Sequence, residues 1–272
     1  MDGRKTTSRL GGQVYPEERQ QAIAAQVISQ GRASVTDLAR AFEVTTETVR
    51  RDLAILNRAG IVRRVHGGAV PTRALHLVEP SVEERENLQA GSKQAIARSA
   101  AEFFPQSGST VLFDAGTTTA RLAELLPPDR DLLVVTNSVP IAARLAGRGT
   151  VSLQVLGGRV RGLTRACVGA QAVDTLGSLR VDIAFIGTNG ISVRHGLSTP
   201  DPDEAAVKKA MVSCANFVVV VADSSKVGRE EFVSFAPIEA LDVLVTDAEI
   251  APDDRAALAE EGLEVVVAQG AS

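Results

Sequence analysis

Hydrophobic residues are spaced in two different ways along this chain. Up to residue 73 they recur every three or four positions, the period of a helix that buries one face. Val35, Leu38, Ala39 and Phe42 form one such stripe, and Val49, Leu53 and Leu56 form a second. Upstream, a supporting helix starts at Pro16-Glu17-Glu18, turns Ile23, Val27 and Ile28 inward and stops at Gly31. From residue 92 the apolar residues come instead in short runs: 110–113, 132–135, 152–156, 181–186, 217–221, 243–245 and 265–267. Amphipathic stretches such as Lys93 to Phe104 separate them. Val- and Ile-rich runs flanked by helices predict strands covered on both faces, hence a mostly parallel α/β sheet.

The first region carries the start and stop signals of two short helices. Ser34 with Asp37 opens one; Thr45 with Glu47 opens the next. With Val49, Leu53 and Leu56 buried, Glu47, Arg50 and Arg51 turn outward. Thr45, Thr46 and Thr48 occupy the N-terminal end, the part of a recognition helix that meets base edges. Asn57-Arg58-Ala59-Gly60 ends the helix, and residues 61–70 read as a basic strand-turn-strand containing Arg63, Arg64 and His66. Two helices, a tight turn and a hairpin wing make a winged helix-turn-helix, which places its second helix in the major groove. A three-helix interaction module with a solvated Arg pair would explain the helices, but it has no need of the basic hairpin.

Charge divides the chain at the same place. Residues 1–73 hold 12 Lys and Arg against 7 Asp and Glu, a net +5, and the remainder holds 17 against 26, a net −9. A basic head on an acidic body confines the phosphate-binding surface to one end. The whole chain, at 272 residues, suits one or two soluble domains. It contains no apolar run long enough to span a membrane. Residues 1–15 are polar and lack the apolar core of a secretory signal; they read as a tail whose Arg4, Lys5 and Arg9 are available to DNA. Cys167 and Cys214 have no metal-ligand spacing, which suits a reducing cytoplasm, and His66, His76 and His195 are too scattered for a zinc site. No metal or cofactor is expected. Residues 74–91 mix Pro, Glu and small residues and read as a connector, with 79–85 turning into a short helix.

In parallel sheets ligands bind beyond the carboxyl ends of the strands. Here those ends are polar and small. The 110–113 run leads into Asp114-Ala115-Gly116-Thr117-Thr118-Thr119, where glycine admits a ligand to the backbone and the helix start attracts an anion. Thr136-Asn137-Ser138, Gly157-Gly158-Arg159 and Gly187-Thr188-Asn189-Gly190 follow later runs, and Asp223-Ser224-Ser225-Lys226 adds a cation. Glu204, after Asp201-Pro202-Asp203, is placed to accept sugar hydroxyls. Any one of these is explicable as an ordinary strand-to-helix turn; five with the same chemistry point to a phosphorylated polyol. No dinucleotide fingerprint follows any strand.

Residues 16–73 resemble the DeoR-type helix-turn-helix, with Thr48-Val49-Arg50-Arg51-Asp52-Leu53 and Arg64-Val65-His66-Gly67-Gly68 in place. The effector domain expected over 92–272 looks like that family's phosphosugar sensor, a fold similar to ribose-5-phosphate isomerase; the motifs after the strands stand in the family's order, and the resemblance as a whole covers about residues 16–250. The resemblance implies an operator-binding repressor of a sugar-metabolism operon and an effector pocket containing Asp114, Gly116, Thr117, Thr118, Thr119, Asn137, Gly187, Glu204 and Lys226; because one helix-turn-helix reads only a few base pairs, a homo-oligomer (dimer or tetramer) is expected. Gly157, Gly158 and Asn189 are further candidates on strand-end chemistry. Thr188-Asn189-Gly190 departs from many relatives, which have a small residue before the glycine, and its amide could add a hydroxyl contact. The stretch from Gly187 to Glu204 looks most similar to fructose-operon regulators, which suggests fructose 1-phosphate. The rival reading is an aldose–ketose isomerase, or a bifunctional regulator, using Asp114, Glu204 and Lys226 as acid, base and electrostatic stabiliser; an isomerase has no use for the basic wing.

Overall fold

The hydroxyl of Ser34 accepts from the Asp37 N–H at 3.0 Å, and that of Thr45 accepts from the Thr48 N–H at 3.1 Å. Both helices of the first region therefore start where the sequence predicts. The computed structural model describes residues 19–20, 22–24, 26–27, 33–42, 44–58, 61–65, 67–71 and 80–269. The chain divides into two compact units, Met1–His76 and Leu77–Ser272.

In the first unit a short strand β1 (Ala33–Ser34) leads into α1 (Val35–Ala41) and α2 (Thr46–Arg58), followed by the hairpin β2 (Val62–Val65) and β3 (Gly68–Pro71). The strands pair antiparallel in the order β1-β3-β2. Ile23, Val27, Leu38, Val49, Leu53 and Leu56 meet Val62 and Ala69 in one core, so the predicted stripes are the buried faces. Pro16 to Glu18, the Ile28 side chain and Gly31 lie outside the described residues. The two wing glycines have separate physical reasons. Gly67 sits at φ 80°, a conformation costly for any residue with a Cβ. A Cβ on Gly68 would stand 2.2 Å from the Ala33 carbonyl oxygen, because β3 pairs against β1 there.

The second unit is built on seven parallel strands: β4 (Thr110–Phe113), β5 (Leu132–Thr136), β6 (Val151–Val155), β9 (Ile183–Ile186), β12 (Val218–Val221), β14 (Val243–Asp247) and β15 (Glu264–Ala268). Each coincides with one of the seven predicted runs to within two residues. Side chains alternate across the sheet with period two. Val111, Phe113, Ile183, Phe185, Val219 and Val221 enter one core with α4 (Ala90–Ala100), α5 (Thr117–Glu124) and α6 (Val139–Leu145). Leu112, Ala184, Ile186, Val218 and Val220 enter the other with α7 (Ala170–Gly177), α8 (Pro202–Cys214) and α9 (Pro252–Glu260). The mostly parallel sheet covered on both faces is the fold the sequence predicts.

The strand order is β15-β14-β12-β9-β4-β5-β6. The chain winds one way from β4 and the other way from β9, so the topological switch point lies between these neighbours, where a crevice opens beyond the carboxyl ends. Five short strands absent from the sequence reading complete the unit: the hairpin β7 (Arg159–Arg161) and β8 (Ala166–Val168), and a small sheet of β10 (Gly190–Ser192), β11 (Gly196–Thr199) and β13 (Val233–Ala236). At three or four residues they are too short to show a period.

The stretch read as a connector contains a short helix, as residues 79–85 suggest. Most of it falls in the second unit, where Ser81 and Glu84 form a reciprocal capping box for α3 (Val82–Asn87), and α4 begins already at Ala90. The Val82 N–H donates to the Leu163 carbonyl at 2.9 Å and Glu83 pairs with Arg165, both in the β7–β8 turn. Among the described residues no helix is long and apolar enough to cross a membrane, and no group of three His, Cys, Asp or Glu could hold a metal ion. Cys167 and Cys214 are buried free thiols.

Candidate functional site

On α2 the burial of Val49, Leu53 and Leu56 leaves Thr45, Thr46, Glu47, Arg50 and Arg51 exposed and Thr48 half-exposed. The Thr48 hydroxyl is 2.9 Å from that of Thr45, so capping occupies both. Among the described residues Arg50 makes only an exposed pair with Glu47 at 3.4 Å, a contact worth little in water. The aspartate of the same motif does different work. Asp52 is buried and takes Arg19 Nε at 2.7 Å and Gln20 Nε2 at 2.9 Å, which ties α2 to the supporting helix. Arg63 and Arg64 lie on β2 opposite Val70 and Ala69; His66 lies outside the described residues.

The second unit brings the ends of β4 and β9 together at the switch point. Asp114 is 1% exposed, and its Oδ2 accepts the Gly187 N–H at 3.0 Å and an ion pair from Lys208. Lys208 Nζ also donates to the Gly187 carbonyl at 2.9 Å and sits 5.6 Å from the Phe235 ring centroid. Burial pushes the Asp114 carboxyl above the ordinary carboxylate range, opposed by Lys208 and the Gly187 N–H. Glu204 is buried in the first turn of α8, capped by Asp201 at 2.9 Å. Its Oε1 accepts from the Thr164 hydroxyl and from Arg161 Nη1 at 3.3 Å, and Arg161 also pairs with Asp201 at 3.0 Å. The β7–β8 hairpin thus closes over Glu204.

Beyond β4, Gly116 precedes α5 with no side-chain cap, so first-turn N–H groups face outward without a side-chain acceptor. The Thr119 hydroxyl donates to the Gly116 carbonyl at 3.0 Å, and a Cβ on Gly116 would lie 2.9 Å from that hydroxyl oxygen. Thr117 is half-buried and Thr118 buried. Asn137 spends its amide within the protein: Oδ1 accepts the Ala115 N–H at 2.9 Å and Nδ2 donates to the Cys167 carbonyl at 3.4 Å. Asn189 Oδ1 accepts from the Thr199 hydroxyl at 3.1 Å. A Cβ on Gly157 would meet Gln171 at 2.7 Å and one on Gly158 the Val168 carbonyl oxygen at 2.6 Å, so both glycines allow α7 and β8 to approach.

Lys226 lies in a short 3-10 turn, Ser224–Lys226. Burial lowers its ammonium pKa against the pull of Asp223, with Arg229 and Arg85 adding like charge. Lys93 shares this corner: burial lowers its pKa to about 8, Asp223 opposes, and Lys226, Arg121 and Arg85 push further down. The sequence reading passed over Lys93, Arg121 and Lys208. A signal for Lys93 was present, since it occupies the first position of the buried stripe Lys93, Ile96, Ala97 and Ala100. Lys208 likewise sits among the buried residues of α8. A lysine at an inward position needs a partner, because its charge is costly to bury alone.

The DeoR-like helix-turn-helix domain model matches residues 19–73 and the DeoR C terminal sensor domain model residues 88–248. The chain is 38% identical to the HTH-type transcriptional regulator GlpR of Haloferax volcanii, covering 93% of this chain and 98% of that protein. It is 32% identical to the glycerol-3-phosphate regulon repressor of Escherichia coli K12, over 85% of this chain and 90% of that one. Ribose 5-phosphate isomerase A of Methanocaldococcus jannaschii aligns with 49% of this chain and 52% of its own at a TM-score of 0.36 and 19% identity. With a sensor model matched over more than half its length and a helix-turn-helix model before it, this chain belongs to the DeoR family of transcriptional regulators.

Proposed function

We propose that this regulator represses a sugar-metabolism operon and leaves its operator when a phosphorylated sugar, fructose 1-phosphate in the first instance, occupies the sensor. The observation that carries the reading is the uncapped start of α5 beside a corner of cations, buried Lys93 and half-buried Lys226, at the carboxyl edge of the sheet. The phosphate lies against Gly116, Thr117, Thr118 and Thr119. The sugar hydroxyls lie toward Asp114, Gly187, Asn189 and Glu204, while Asn137, Gly157 and Gly158 hold the walls. DNA is met by Thr45, Thr46, Arg50 and Arg51 from α2 and by Arg63, Arg64 and His66 from the wing. One such head reads only a few base pairs, so the working form is a homo-oligomer.

Catalytic turnover is the weaker reading. An isomerase needs a carboxylate ready to move a proton, yet Asp114 is paired with Lys208 and Glu204 with Arg161. Calorimetric titration of fructose 1-phosphate, fructose 6-phosphate, ribose 5-phosphate and glycerol 3-phosphate tests the assignment. Binding of at least one, weakened by Lys226→Ala, supports it; no binding by any, or wild-type binding by Lys226→Ala, refutes it.

A further inference from the structure

The corner between α3 and α4 is held in an unusual way. Gln89, which joins them, adopts a left-handed φ of 53°, a conformation unfavourable for a residue with a Cβ. One turn into α4, Lys93 sends its ammonium back beneath the corner, where it donates to the Arg85 carbonyl and, at 2.6 Å, to the Leu88 carbonyl. These are carbonyls at the C-terminal end of α3, where no further turn of that helix supplies a donor. The rest of α3 is held from its surface. No residue of the helix is buried, and its ties include the Val82–Leu163 and Glu83–Arg165 contacts, Arg121 donating to the Glu86 carbonyl at 3.1 Å, and Arg144 pairing with Glu86 at 3.4 Å. A helix with so little burial is among the first elements to open.

The same Lys93 ammonium faces the charged corner of Asp223, Lys226, Arg121 and Arg85, next to α5, on which both α3 and α4 pack. Arg121 is divided in the same manner: Nη2 holds α3, while its buried Nε has no hydrogen-bond partner among the described residues. In chain order α3 is the first helix after the DNA-binding unit.

We propose that Lys93 is claimed by two partners in turn, the C-terminal carbonyls of α3 when the sensor is empty and the anion of the effector when it is filled. Binding then draws the ammonium away from Arg85 and Leu88, uncaps α3 and loosens the corner through which the chain continues to the DNA-binding unit. This rests on the phosphosugar reading above. A ligand shifts such an equilibrium only through unequal affinity for its two states, and the contested ammonium supplies that inequality.

The test uses the full chain without sugar first. Lys93→Met keeps the aliphatic stem and removes the cap, so operator affinity should fall about fivefold or more, the lower end of ordinary allosteric coupling. Lys226→Ala keeps the cap and should lose its response to phosphosugar. A folded Lys93→Met protein with wild-type operator affinity overturns the relay, and a blind Lys226→Ala beside it leaves the phosphosugar reading standing. Should Lys93→Met not fold, hydrogen exchange in the wild-type protein decides, with fructose 1-phosphate and glycerol 3-phosphate as probes. Faster exchange over 84–89 together with protection at 117–119 supports the relay. Protection at 117–119 with unchanged exchange over 84–89 overturns the relay alone. No protection with either compound removes the phosphosugar reading and the relay together.

Discussion

The two units bury their functional residues in opposite ways. In the DNA-binding unit Thr45, Thr46, Arg50 and Arg51 are exposed, and among the described residues the core is apolar, with Asp52 and its Arg19 and Gln20 partners the buried polar exception. In the sensor Asp114, Glu204, Lys93 and Lys208 are buried together with their partners. DNA is a large polyanion met at a surface, so its ligands can stay solvated until contact. A small polar effector has to be enclosed, so its pocket must store charge inside and keep that charge paired while empty. Removing a functional side chain should therefore cost binding in the first unit and stability in the second.

The largest effect expected from this contrast is at Lys208. Lys208→Met strands the Asp114 carboxylate, and breaking one side of a buried ion pair costs about 3–5 kcal/mol. Urea unfolding of the full chain should show the second unit losing that much, while Asp114→Asn/Lys208→Met together recovers part of it. Arg50→Ala/Arg51→Ala should leave both unfolding transitions within about 0.5 kcal/mol of wild type. A sensor indifferent to Lys208→Met would erase the distinction between the units.

Next in size is the effect of that Arg pair on DNA. An arginine reading a guanine is worth about 1–3 kcal/mol and its loss relaxes one base position; one on a phosphate lowers the salt slope by about one for all sequences. Gel shifts at several salt concentrations separate the two, and unchanged operator affinity in the double variant would remove α2 from the interface.

Smaller again is a pH effect confined to the sensor. Lys93 titrates near 8 in the empty protein, in a corner shared with Asp223, Lys226, Arg121 and Arg85. An anion favours the charged ammonium and raises this pKa, so effector binding takes up a proton as pH rises past 8. Affinity for fructose 1-phosphate should be about tenfold weaker at pH 9 than at pH 7, because one pH unit above the pKa leaves about a tenth of the ammonium charged. Lys93→Arg, which stays charged across this range, should flatten the profile. Calorimetry in buffers of different ionisation enthalpy would detect the proton, and a flat wild-type profile would take Lys93 out of the site.

The same contrast explains what could be read from the sequence. An exposed functional face is defined by the apolar stripe opposite it, so Val49, Leu53 and Leu56 alone orient Arg50 and Arg51. The seven sheet strands were equally plain, because a strand covered on both faces must be a continuous apolar run, as at Thr110–Phe113. The sensor's ion pairs were not, since Asp114 and Lys208 stand 94 residues apart and Arg161 and Glu204 stand 43 apart. Their types and positions gave the chemistry of the strand ends without the partners that use it up. Asn137 is one case: the sequence shows its place after β5 but not that its amide joins the β4 loop to β8.

The most direct measurement is reciprocal linkage on the full-length protein. Operator affinity is titrated with and without fructose 1-phosphate, and fructose 1-phosphate affinity with and without operator. Effector-driven release predicts that each ligand weakens the other by the same factor, between about 5- and 150-fold for a coupling of about 1–3 kcal/mol. Operator affinity unmoved by saturating fructose 1-phosphate, fructose 6-phosphate, ribose 5-phosphate and glycerol 3-phosphate alike would contradict it.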